Sequence, residues 1–140
     1  KSLRYLSEIN LNAHFFMRSL AEILQQGVIL LIDYGFGRAE YYHPQRNQGT
    51  LMCHYRHHAH EDPFYLPGLQ DVTSHVDFSA ITEAVEDTDL QLCGYTTQAH
   101  FLINCGITDI MGELFKVIAL VKDVPEPLMG FHGGDMSRML

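Results

Sequence analysis

The sequence predicts an α/β fold, and three observations carry that reading. Residues 28–32 are a short, wholly apolar run, the mark of a strand covered on both faces, and residues 114–121 are a second strongly apolar strand, interrupted by Lys116. Segments with a helical apolar period alternate with them. The first run ends in Asp33-Tyr34-Gly35-Phe36-Gly37, an acid followed by a turn through two glycines. Sheets of this class bring residues to a ligand at the carboxyl ends of their strands.

The elements follow in order. Residues 10–26 read as a helix with Phe16, Leu20, Ile23 and Leu24 on one face, Asn10 or Asn12 at its start and Gly27 at its end. After strand 28–32, residues 36–76 read as an insertion holding a short strand near 50–55. Residues 78–87 form a second helix, with Asp77 as N-cap and Phe78, Ile81, Ala84 and Val85 facing inward. A strand at 91–95, a helix from Thr96 or Thr97 to about Gly106, and strand 114–121 complete the pattern. Pro125, Pro127, Gly130, Gly133 and Gly134 predict an irregular tail.

A chain of 140 residues, 46% hydrophobic and 19% charged, suits one globular domain. A formal net charge of −8 argues against nucleic acid as a partner, because phosphate neutralisation needs Lys and Arg. No apolar run approaches the length of a membrane span, so no membrane insertion is expected. Cys53, Cys93 and Cys105 are odd in number and lack CxxC spacing, which reads as reduced thiols.

Asp33-Tyr34-Gly35-Phe36-Gly37 has the look of a phosphate-cradling glycine loop. Such a loop must run straight into a helix. The stretch after Gly37 has no apolar helical period and contains Pro44. The segment reads instead as a strand end facing an active site, with Asp33 and Tyr34 lining it. Asp71, Thr73, His75 and Asp77 fall at every second residue, and on an extended segment they would share one face. Asp71 and Asp77 suit a guanidinium, which prefers planar carboxylate partners, and His75 suits proton transfer. Capping is the competing role for Asp77. Tyr41, Tyr42, Tyr55, Phe64 and Tyr65 surround this set with aromatic rings, which wall cationic ligands when they are not simply core. Glu8 is either a first-turn acid or a site residue. His54, His57, His58 and His60 are the tempting metal cluster, but no HExxH or Cys pair completes it, and no metal site is assigned.

Five blocks, in order along the chain, carry a resemblance. They are 27–35; Gly49-Thr50-Leu51 with Tyr55-Arg56-His57; 68–78, containing Gln70-Asp71-Val72-Thr73-Ser74-His75-Val76-Asp77-Phe78; 97–102 with Cys105-Gly106-Ile107; and 111–117. Together they resemble the carboxyl-terminal half of the MidA family of S-adenosylmethionine-dependent methyltransferases. The resemblance implies the last part of a seven-stranded, Rossmann-like class I methyltransferase sheet, with the final strand antiparallel between its two predecessors. It implies S-adenosylmethionine as cofactor and methyl transfer to an arginine of a protein, with a respiratory complex I subunit as the candidate partner. The compartment would be the cytoplasm in a bacterium or the mitochondrial matrix in a eukaryote. On this reading Asp33, Tyr34 and His75 are catalytic. Asp71, Thr73, Asp77, Tyr55 and His57 bind substrate, and Gly35 touches the cofactor. The family's own glycine loop and ribose-binding acid lie upstream of the blocks matched. A helical stretch of the family is absent near 109–111, where missing residues are expected. Two alternatives stand beside it: a metal-binding protein or metal-dependent hydrolase built on the histidines, and a non-catalytic interaction module.

Overall fold

A computed structural model describes residues 4–107, 115–124 and 128–140. Helix α1 spans Leu11–Ile23 and leads into strand β1, Gly27–Phe36. A four-residue helix α2, Arg38–Tyr41, and a 3-10 turn at Pro44–Arg46 follow. Next come β2, Met52–Tyr55; β3, His58–His60; β4, Asp71–Thr73; and β5, Val76–Asp77. Helix α3 is Phe78–Glu83, strand β6 is Gln91–Thr97, helix α4 is Gln98–Asn104 and strand β7 is Phe115–Lys122.

Two sheets result: a four-stranded mixed sheet in the order β5-β1-β7-β6, and a separate three-stranded sheet in the order β3-β2-β4. β7 runs antiparallel to β1 from Gly27↔Lys122 to Tyr34↔Phe115 and antiparallel to β6 on its other side. The last strand therefore sits between its two predecessors, as expected. The described residues hold four strands of the main sheet rather than seven.

One core lies on each face of this sheet. On the first, Met17 and Ala21 of α1 meet Phe78, Ile81, Ala84 and Val85 around Tyr95, Ile118 and Leu120. On the second, Val117 and Ala119 lie under Phe131, Phe101 and Leu128. The caps form as the sequence predicts. Asn10 accepts the Ala13 N–H at 3.1 Å, Asp77 accepts that of Ala80 at 3.2 Å, and Thr97 that of His100 at 3.2 Å.

Expectations for three elements are corrected. Strand 28–32 extends to 27–36 and is covered on one face only: Ile29 and Leu31 pack on the first core, while Val28, Leu30 and Ile32 are 40–45% exposed. α4 and Phe131 reach β6 and β7 but leave β1 bare on that side. α1 buries Met17 and Ala21, with Phe16 and Ile23 exposed, because its contacts run to α3. α1 also stops at Ile23, so Gly27 opens β1 rather than ending the helix. α3 is shorter than the predicted 78–87, ending at Glu83 in a turn held by Val85 N–H to Thr82 C=O and Thr88 N–H to Val85 C=O. The junction near 109–111 lies outside the described residues, as do Pro125 and Pro127.

Candidate functional site

A cleft of about 600 Å³ opens beside the carboxyl end of β1. Its walls come from the stretch between Glu8 and Met17 leading into and along α1, Leu31 to Asp33 of β1, Tyr41 and Tyr42 at the end of α2, residues 74–78, and α3. β5 brings the 74–77 segment there by pairing in parallel with the very end of β1, at Gly35↔Val76 and Phe36↔Asp77. Gly35 permits this. A Cβ there would strike the Val76 carbonyl oxygen and would lie 2.8 Å from the Phe78 ring. Gly37 likewise makes room for the Met139 carbonyl.

Four carboxylates line the cleft among the described residues: Glu8, Asp33, Asp77 and Glu83. Three are engaged elsewhere in the fold. Glu8 accepts the backbone N–H groups of Thr50 and Leu51 and the Thr50 hydroxyl, at 3.0–3.2 Å. Asp77 caps α3, and its other oxygen lies 3.6 Å from Arg38 Nε. Glu83 takes the Arg38 guanidinium in bidentate fashion, which holds its carboxyl below the usual range. Asp33 differs. Among the described residues it accepts only its neighbour's N–H, Tyr34 N to Asp33 Oδ1 at 2.7 Å, and it stays exposed.

His75 stands beside it. Its ring lies 6.4 Å from that of Tyr34 and 5.1 Å from that of Phe36, and Tyr34 in turn packs on Phe115 at 4.1 Å. Burial, and then the nearby Arg46, lower the His75 pKa, so the ring is neutral at neutral pH. Its Nδ1 is buried with no hydrogen-bond partner among the described residues. Arg46 reaches this wall by stacking its guanidinium on Phe36, 3.9 Å from the ring centroid. Tyr41 and Tyr42 supply the aromatic wall, and burial raises both their hydroxyl pKa values.

The structure thus brings Asp33, His75 and Asp77 to one cleft, with Tyr34 stacked against it. It places the other candidates elsewhere. Asp71, Thr73, Tyr55 and His57 belong to the three-stranded sheet and do not line the cleft. The two-residue alternation holds only over 71–73 and breaks at Ser74, where the chain leaves β4 for β5. Gly35 is filled by Val76 and Phe78, and the helix after Gly37 has only four residues. The Gly35-Phe36-Gly37 segment therefore does not fit a cofactor cradle. The histidines are spread over a hairpin: His54 on β2, His57 in the turn, His58 and His60 on β3. No three His, Cys, Asp or Glu side chains converge as a metal site among the described residues, so the metal reading lacks its donor set. Glu8 and Arg46 are the members the sequence left open or missed. Their partners lie about 40 and 10 residues away, beyond the reach of local spacing.

Known proteins agree with this layout. A family model described as "Putative S-adenosyl-L-methionine-dependent methyltransferase" matches residues 1–96. The chain is 32% identical over 91 residues to the mitochondrial protein arginine methyltransferase NDUFAF7 homolog of Caenorhabditis elegans, a match covering 65% of the chain and 20% of that protein. A Burkholderia thailandensis protein solved with bound S-adenosyl-homocysteine superposes with a TM-score of 0.91 at 45% identity, over 98% of this chain and 42% of that one. A native structure of an uncharacterized protein from the same organism gives a TM-score of 0.91 at 45% identity, over 97% and 44%. The chain thus spans about a fifth of the curated relative and less than half of either solved chain. A family model covering 96 of 140 residues leaves one conclusion: the chain belongs to this family of S-adenosyl-L-methionine-dependent methyltransferases.

Proposed function

We propose that this chain carries the substrate side of a protein-arginine methyltransferase. The observation that supports the reading most is the state of the four cleft carboxylates. Glu8, Asp77 and Glu83 are held by Thr50, Leu51, the α3 amides and Arg38, which leaves Asp33 with an oxygen to offer an incoming cation. A guanidinium suits that position, because it accepts planar carboxylate pairing and stacks on aromatic faces. Tyr34, Tyr41 and Tyr42 are the faces at hand. Neutral His75 takes the proton that the methylated nitrogen sheds. The methyl group comes from S-adenosylmethionine, the family's donor. The arginine target follows the named activity of the C. elegans relative, and a complex I subunit remains the proposed partner.

The seven-stranded sheet belongs to the same proposal. β1 pairs along one edge with β7 over residues 27–34, but on its other edge only Gly35 and Phe36 are paired among the described residues. Beside that open edge lies the exposed row Val28, Leu30 and Ile32. An unpaired apolar strand of this length invites a partner, and in the whole protein further strands of the sheet fill the place. Gly35 contacting the cofactor, and Asp71, Thr73, Tyr55 and His57 reaching the substrate, would require that larger assembly.

The test is methyl transfer from labelled S-adenosylmethionine to an arginine-containing protein substrate by the full-length polypeptide and its Asp33→Asn form. Transfer to lysine, or transfer to arginine unchanged in Asp33→Asn, overturns the assignment.

A further inference from the structure

Residues 6–8 are stitched to residues 47–51, across some 40 positions of sequence. Leu6 N–H donates to the Asn47 carbonyl at 3.0 Å, and Leu6 and Gln48 form a parallel bridge. The Glu8 carboxylate then closes on the turn that follows. Oε1 accepts the N–H of Thr50 at 3.1 Å and of Leu51 at 3.0 Å. Oε2 accepts the Thr50 N–H at 3.0 Å and the Thr50 hydroxyl at 3.2 Å. That hydroxyl, already donating to Glu8, accepts the backbone N–H of His75 at 2.9 Å. A chain of bonds all pointing the same way runs from His75 through Thr50 to Glu8, an arrangement in which each bond polarises the next.

Gly49 shows how close the fit is. Its φ is +79°, and a Cβ there would run into the Glu8 carboxylate. Tyr41 completes the collar, its buried hydroxyl 3.4 Å from the Glu8 carbonyl. A carboxylate saturated by four donor contacts is not available to a substrate. Its task is to hold the turn, and that turn holds the backbone of His75 at the cleft.

We propose that Glu8 is a positioning residue which, through Thr50, sets the backbone and hence the ring of His75 at the cleft. The inference rests on the methyl-transfer reading for its consequence, but not for its geometry. The charged groups acting on His75 are Arg46, which disfavours protonation, and Glu8 and Asp33, which favour it. Tyr34 and Phe36 supply the aromatic faces beside it.

The experiment is NMR titration of the His75 ring in the full-length protein, assigned with His75→Gln, alongside methyl transfer. Glu8→Gln replaces an acceptor by an amide that faces donors, and it removes a negative charge that favours the imidazolium. The His75 resonances should move, its pKa should fall further, and kcat should drop on the order of 10²-fold while KM holds, as for a misplaced catalytic group. Thr50→Val changes no charge, so it tests the relay alone. It should shift the His75 resonances, and Thr50→Ser should restore them. If Glu8→Gln fails to fold, the Thr50 pair still decides. Wild-type His75 shifts in Thr50→Val, or a lowered melting temperature with His75 unmoved in Glu8→Gln, overturn the proposal. His75 shifts in both variants combined with full activity of His75→Gln uphold the positioning and remove His75 from the proposed reaction.

Discussion

Two regions of this molecule are rich in the same side chains and differ in what they build. The three-stranded sheet collects four histidines, Tyr55, Asp71 and Thr73, yet most of these side chains face solvent or bond locally. His60 meets Tyr65, Asp62 accepts the Phe64 N–H, and Thr73 reaches only the Met52 carbonyl across the ladder. The polar groups of the cleft at the end of β1 come instead from four separate stretches of chain. Glu8 bonds Thr50, and Arg38 engages Asp77, Ser79 and Glu83, over separations of 39 to 45 residues. Polar density in sequence marks a surface. A site arises where distant segments engage most of each other's hydrogen bonds and leave a chosen few atoms over.

That contrast can be broken in order of expected effect. Asp33→Asn should reduce methyl transfer by the full-length protein about 10²–10³-fold, the usual consequence of losing one preorganised electrostatic contact, with the melting temperature nearly unchanged. A normal rate with a lowered melting temperature would make Asp33 a turn residue and remove the cleft's advantage over the small sheet. Gly35→Ala should act on stability instead. Its Cβ would meet a backbone carbonyl and the Phe78 ring, neither of which yields cheaply, so a loss of about 1–3 kcal/mol in denaturant unfolding is expected. Wild-type stability would mean that β5 is free to move away from β1.

The small sheet offers the opposite experiment. Arg56 and His57 turn the β2–β3 hairpin with φ of +46° and +67°, a geometry that two-residue turns ordinarily give to Asn-Gly. Replacing the pair by Asn-Gly should stabilise the protein by about 1 kcal/mol and leave methyl transfer alone. A loss of activity would return His57 to the substrate site. The smallest effect is a pH dependence. The folded-state pKa of His75 lies below the ordinary value of about 6.5, so the unfolded chain binds the extra proton first. Stability from this residue is complete above that value and is lost as pH falls through the folded pKa. His75→Gln should flatten the melting curve between pH 7 and 5. A slope unchanged by the substitution would show that the ring is not desolvated.

Local chemistry was legible in this sequence. Asn10, Asp77 and Thr97 cap the helices they precede because each has a side-chain oxygen placed for an N–H one turn on. Residues 115–122 form the central strand because a run of Phe, Val, Ile, Ala and Leu is stable only when covered, and four of its residues are wholly buried. Asp33 near the carboxyl end of β1 was readable because the apolar run stops there, although the chain does not turn at that point and the strand continues to Phe36. The two-residue period also placed Asp71, Thr73, His75 and Asp77 on one face, and there it failed. A period describes one strand, and the chain changes sheets between Thr73 and Val76. What Gly35, Gly49, Glu8 and Arg46 do depends on atoms many residues away: a carbonyl of Val76, a carboxylate facing a glycine, a ring of Phe36. The sequence by itself determined the α/β class, the helix caps and the strand that carries Asp33, since backbone preference and apolar burial act over a few neighbouring residues. Only the tertiary structure decided which of the cleft acids keeps a free oxygen, because hydrogen bonds between distant segments form only once the chain has folded.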